Sequence, residues 1–161
     1  MTPEQAIHEL ISTEATVPVI VAEQDEAPPA RPYIALTLRG STSLPLHLGP
    51  VASDGVRAVS SHRDARIELT YFGAGGMNAM ETLAQRLQME RALLHAEALD
   101  LAVFSIGEVQ QVSLLQEDGT YEPRMQLALS VRYTVTLDEE IAVIETVNVD
   151  GTETTGLAPD H

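Results

Sequence analysis

The chain contains no cysteine, no lysine and no tryptophan, and only two phenylalanines and four tyrosines among its 161 residues. Without cysteine there are no disulfide staples, thiolate zinc sites or cysteine nucleophiles, which fits a reducing compartment. So few rings give little from which to build an aromatic platform for single-stranded nucleic acid. No apolar run approaches the ~20 residues of a membrane-spanning helix, so no membrane is expected among its partners. Residues 1–10 lack a basic stretch and carry Glu4 and Glu9. They do not read as a secretory leader.

Positive charge is scarce and localised. The nine basic residues are all arginine, lie between Arg31 and Arg132, and face 24 carboxylates, for a net charge of −15. Residues 1–30 carry six carboxylates and residues 138–161 carry seven, with no arginine in either segment. A protein that grips DNA through phosphates needs a basic face to release counterions. This charge argues against tight nucleic-acid binding and against an anionic membrane surface. It leaves repulsion of DNA open as a role, beside simple solubility. Length predicts one domain, with a core able to bury roughly two-thirds of the unfolded surface.

Local patterns order the elements. Thr2-Pro3-Glu4-Gln5 predicts a helix start with a capping box, followed by Ala6, Ile7, Leu10 and Ile11 at helical spacing and stopped by Pro18. Val19–Val21 reads as a short strand, residues 23–32 as a proline-rich loop, and Tyr33 to about Leu46 as a strand. Residues 47–61 read as a second loop, long enough to suggest function. Arg63–Phe72 is predicted to be a strand with Ile67, Leu69 and Tyr71 on one face. Gly73-Ala74-Gly75-Gly76 then turns into one long main helix, capped by Asn78 with Glu81 three residues on. Its apolar stripe is Met80, Leu83, Ala84, Leu87 and Leu94, and Arg91 and His95 lie near its C-terminal end. Phe104–Leu115 reads as a strand with a bulge at Gly107, and Glu117-Asp118-Gly119-Thr120 as a turn. From Met125 to Leu137 seven apolar residues alternate strictly with others, a strand of ~40 Å. Ile141–Val149 is a last strand, and Gly151–His161 a loose polar tail. The fold class is therefore α+β: a mainly antiparallel sheet with one long helix on a face and a short N-terminal helix. The domain reading is residues 1–150, with 151–161 as tail.

The motifs that suggest chemistry also have plainer readings. Gly73-Ala74-Gly75-Gly76-Met77-Asn78 lacks the third glycine and the parallel context of a dinucleotide fingerprint, and no lysine follows it to make a P-loop. A strand-to-helix turn explains the glycines. The five histidines make no zincin pair. Ser60, Ser61, His62 and Asp64 contain the residue types of a triad, but no nucleophile elbow is present. Neither Glu117-Asp118 nor Asp138-Glu139-Glu140 has calcium-loop spacing. No catalytic, cofactor-binding or metal-binding residue is assigned, and no cofactor is expected.

An ordered set of segments spans nearly the whole chain: Arg31-Pro32-Tyr33-Ile34-Ala35-Leu36, Arg66–Gly73 feeding Leu83-Ala84-Gln85-Arg86-Leu87, Ser105-Ile106-Gly107-Glu108-Val109, Tyr121–Leu127, and Ile144–Gly151. In order and spacing the sequence resembles the phage neck terminator proteins, related in fold to the tail terminators of long-tailed phages. The resemblance implies a non-catalytic structural virion protein, assembled in the host cytoplasm. Such a protein forms a homohexameric ring on the tail tube, ends tube growth and docks the head-side connector or adaptor. DNA passes through the lumen without specific binding. The self-contacts, the tail tube protein and the connector are thus the partners implied. Residues 23–32 and 47–61 are candidate contact loops, and the acidic ends are candidates to line the lumen. The alternatives are another neck or tail ring component (an adaptor or completion protein), a small α+β ligand-binding or hydrolytic domain around His62 and Asp64, and a plain oligomerisation module.

Overall fold

The computed structural model describes residues 1–23 and 26–141, together with the backbone of 146–149 and 152–155. The first element is α1 (Pro3–Glu14). Thr2 Oγ1 accepts from the Gln5 backbone N–H at 3.2 Å and Gln5 Oε1 accepts from the Thr2 N–H at 2.8 Å. This is the capping box read from the sequence. Ala6, Ile7, Leu10, Ile11 and Glu14 form its buried face. Three strands follow, β1 (Val19–Val21), β2 (Tyr33–Leu48) and β3 (Val56–Phe72). Two helices come next, α2 (Gly76–Arg86) and α3 (Glu90–Ala98). Strands β4 (Ala102–Leu115), β5 (Tyr121–Glu140), β6 (Thr146–Val149) and β7 (Thr152–Thr155) complete the order.

The five-stranded sheet runs β1-β2-β3-β5-β4. Strand β1 pairs parallel with β2, through Val19–Ile34 to Val21–Leu36, and β4 pairs antiparallel with β5. Descending β3 numbers meet ascending β5 numbers in the pairs Asp64–Arg132 and His62–Thr134, so these two strands are antiparallel as well. The expected α+β class with a mostly antiparallel sheet is what the chain forms.

The single long helix is not. It is two helices, because Met89 takes an extended conformation (φ −82°, ψ 154°). Helical spacing beyond the buried Met80, Leu83 and Leu87 would turn Glu90 and Arg91 into the core. The break resets the phase, so Ala92 and Ala96 are buried and Leu94 is exposed. Arg91 accordingly lies in the first turn of α3, at its N-terminal and not its C-terminal end, while His95 does lie in the last turn. Asn78 does not cap. The helix starts two residues earlier, behind Gly75 in the left-handed region (φ 76°). A closing motif ends α3: Asp100 (φ 58°) donates to Glu97 O and Leu101 donates to Ala96 O, satisfying orphan carbonyls.

The chain forms two compact units, residues 1–44 with 62–134 and residues 45–61 with 135–161. In the first, α1, α2 and α3 lie on the sheet face made by Ile34, Leu36, Ala65, Ile67, Leu69, Tyr71, Leu127, Leu129 and Val131. The register between β4 and β5 shifts between Ile106 and Val109, as the glycine at 107 suggested. A Cβ on Gly107 would stand 3.1 Å from Ala128 O.

The second unit corrects the 47–61 loop. Strands run to Leu48 and from Val56, and only 49–55 turn the chain. Gly49 donates to Ala58 O and Ala52 to Val56 O, a hairpin whose polar tip outweighed its flanking strands in the sequence. Within 26–32 no strand forms, as expected. The final strand predicted over 141–149 is found at Thr146–Val149, and Ile141 is not in a strand; 142–145 lie outside the described residues. The segment read as a loose tail contains β7, paired antiparallel with β6 from Thr146–Thr155 to Val149–Thr152. Three of its four residues are threonines, whose branching suits a strand.

Candidate functional site

Chemistry on this molecule concentrates on the sheet face opposite the helices. On β3, alternation turns Ala65, Ile67, Leu69 and Tyr71 to the core and His62, Asp64, Arg66, Glu68 and Thr70 outward. Cross-strand pairs lace that outer face. Arg132 holds both oxygens of Asp64, Nε to Oδ1 at 2.7 Å and a terminal nitrogen to Oδ2 at 3.0 Å. This fork keeps the Asp64 carboxyl below the usual carboxylate range. Arg39 on β2 donates to Glu68 at 2.7 Å. The Arg132 guanidinium also lies 5.1 Å from the Phe104 ring centre.

At one corner, several of the segments that carry the resemblance meet. Tyr33 stacks on Phe72 with ring centres 4.9 Å apart. Arg124 lies over the same ring at 4.6 Å and Arg31 at 5.8 Å. Glu122 accepts from Arg31, from Gln116 at 2.7 Å and from Arg124 at 3.4 Å. These bonds, that of Arg31 foremost, hold the Glu122 carboxyl below its ordinary value. Gly73 (φ 126°) lets the turn pass Pro32, whose Cα a Cβ would approach to 3.0 Å. Gly76 packs against Met125 and Tyr71, and Tyr71 Oη donates to Ala74 O at 2.8 Å. The glycine run is a structural strand-to-helix turn, as its sequence context indicated.

The candidate triad is not assembled. Ser61 is buried on the core face, while His62 lies on the other. His62 Nδ1 meets Thr134 Oγ1 at 2.9 Å, and Asp64 is held by Arg132. His62 borders an open cleft of about 490 Å³ with Leu93, Asp100 and Arg132, which Asp64 does not line. In the second unit, Ser60 meets Thr136 at 2.9 Å and Arg57 donates to Glu139 at 2.8 Å. Glu117 and Asp118 lie in the β4–β5 turn, where Asp118 Oδ1 accepts from the Thr120 hydroxyl at 2.6 Å and the Thr120 N–H at 3.0 Å. Among the described residues, no group of three or more His, Asp or Glu side chains could hold a metal ion.

Sequence reasoning missed one buried charge. Glu14, on the core side of α1, accepts from the exposed Arg91 of α3 at 2.9 Å, and Arg86 donates to its backbone carbonyl at 3.2 Å. Glu14 falls at i+3 and i+4 from Ile11 and Leu10, so its place on the buried stripe was readable; its partner 77 residues away was not.

Open strand edges add to the picture. Among the described residues, β4 is an edge strand, and on its outer side β2 is paired by β1 over Ile34–Leu36. No described helix is long and apolar enough to cross a membrane. The first compact unit is thus an α+β unit with helices on one sheet face and, among the described residues, a charged, exposed face on the other. The chain belongs to the phage neck terminator protein family, whose model matches residues 4–156. It is thus a structural protein of the phage neck, a component of the virion that meets other tail and head–tail joining proteins. No curated protein matches it in sequence.

Proposed function

We propose that copies of this chain close into a ring of six that caps the tail tube, ends its growth and presents a docking surface to the head-side connector. The fold is then tail-terminator-like, and the chain, β7 included, acts as one building block. DNA passes through the lumen without specific binding. The chain catalyses no reaction, holds no cofactor or metal, and assembles in the host cytoplasm before joining the particle.

The observation that carries this reading is the family match over 4–156, nearly the whole chain. The surface supports it. Among the described residues, the edges at β4 and at β2 beyond β1 are open, as suits a subunit that meets neighbouring chains. The net charge of −15 suits a channel that must not hold DNA.

Particles assembled without this protein provide the test. Imaging should show tails of irregular length or tails detached from heads, and reconstruction of complete particles should place six copies at the head-proximal end of the tube. Tails of normal length attached to heads, or a collar without this chain, would overturn the proposal.

A further inference from the structure

Charge is segregated across the first compact unit. Its uncovered sheet face gathers five of the nine arginines: Arg31, Arg39, Arg66, Arg124 and Arg132. The carboxylates among them, Glu68, Asp64 and Glu122, lie deeper than their partners. Side-chain exposure is 54% for Arg39 against 26% for Glu68, 44% for Arg132 against 23% for Asp64, and 51% for Arg31 against 11% for Glu122. Guanidinium groups are therefore the outermost layer. Arg66 is exposed and has no ion-pair partner among the described residues. Glu23 also acts on Arg39, so the face is close to balanced in formal charge. Its outermost atoms are nonetheless cationic, on a chain that is otherwise strongly acidic.

The helical layer on the opposite face carries Arg86 and the exposed Arg91, both bonded to Glu14, but is acidic on balance. Glu4, Glu9, Glu81, Glu90, Glu97 and Asp100 are all exposed, and none has an ion-pair partner among the described residues. Between them lie the exposed apolar side chains of Met77, Met89, Leu93 and Leu94. A helix face that mixes apolar side chains with unpaired carboxylates has the composition of a contact surface.

We infer that the arginine-covered sheet face of one copy docks on the acidic helical layer of the next. This rests on the proposed ring and names the surface that builds it. The occupant is a second copy because the two surfaces are complementary in charge and lie on the two sides of the same sheet, adjoining at the cleft that Arg132 shares with Leu93 and Asp100. Such a contact is heterologous and propagates around a closed ring. Complementary charge also selects this pairing over helix-to-helix contact, where carboxylates would oppose each other.

Charge reversal in the full-length protein tests the contact. Arg66→Glu alters the sheet face without removing an ion pair, and Glu90→Arg with Glu97→Arg alters the helical face. Each set alone should lower incorporation into tails, and ring mass in solution where free rings form, by about tenfold or more. Both sets combined in one chain, or the two variants mixed, should restore assembly, because the reversed charges meet again. Circular dichroism and melting of each variant report on folding separately. Assembly that neither reversal weakens, or that the combination fails to restore in a chain with the wild-type melting curve, overturns this contact. Rings seen on tails but insensitive to reversal sink the interface alone; absence of rings from wild-type tails sinks the function proposed above.

Discussion

At the scale of single residues, the molecule shows how strongly an acidic chain depends on a few arginines. Glu14 is buried, and among the described residues its ion-pair partner is Arg91. Removing the partner leaves a buried charge uncompensated, whereas removing the charge itself does not. Arg91→Ala is therefore expected to lower the melting temperature more than Glu14→Gln, a comparison that thermal denaturation of the two variants decides. Asp64 and Glu122 have carboxyl groups held below the ordinary value by arginine. Groups shifted this way stabilise the fold above the ordinary carboxylate range, near pH 4, and lose that contribution as pH falls through the lowered value. Stability should decline on acidification in that window. In Arg132→Ala, the Asp64 titration followed by NMR should move up toward the ordinary value. Gly76 is the steric counterpart. A Cβ there would stand 2.7 Å from Met125 Cγ and 2.9 Å from Tyr71 Cδ1. Met125 is flexible, but the buried Tyr71 ring is tied by its hydroxyl to Ala74. Gly76→Ala should cost about 1–3 kcal/mol in denaturant unfolding, as overpacking does.

At the scale of elements, the parts read correctly are those set by neighbours in sequence. The capping box needs only Thr2 and Gln5, three residues apart. Thr2→Ala should accordingly destabilise the fold by about 1 kcal/mol, measurable by chemical denaturation. The β4–β5 turn was legible for the same reason: Asp118 bonds Thr120, and Gly119 supplies φ 84°. The helical region was misread because Asn78 and Glu81 also satisfy a capping pattern. Packing chose Gly75 as the start and Met89 as the break, since a continuous helix would have turned Glu90 and Arg91 inward. The hairpin at 49–55 was misread for a related reason. Ser53-Asp54-Gly55 signals a turn, but strand length on either side depends on pairing across the hairpin, as between Gly49 and Ala58.

At the scale of the whole molecule, the charge pattern joins structure to role. Asp138, Glu139 and Glu140 are exposed, and in the proposed ring they would repel phosphate if the acidic segments line the DNA path. Replacing all three with lysine should slow DNA release from particles while leaving the ring assembled. Ejection kinetics followed by dye uptake check this, and unchanged kinetics would remove these residues from the path. Arg57→Ala, which frees Glu139 without adding positive charge, should leave release unaffected and serves as the control.

What the sequence determined by itself was the class and the order of parts: α+β, strands with alternating faces, a capped N-terminal helix, a charge too negative for gripping DNA, and a likeness to neck terminators that the family match upholds. These depend on periodicity, composition and residues close in the chain. Tertiary structure alone decided which charges meet. Asp64 and Arg132 are 68 positions apart, and Arg31 and Glu122 are 91 apart. No local rule selects one arginine among nine for a given carboxylate. Strand register does, and register follows from burying the apolar face of the whole sheet at once.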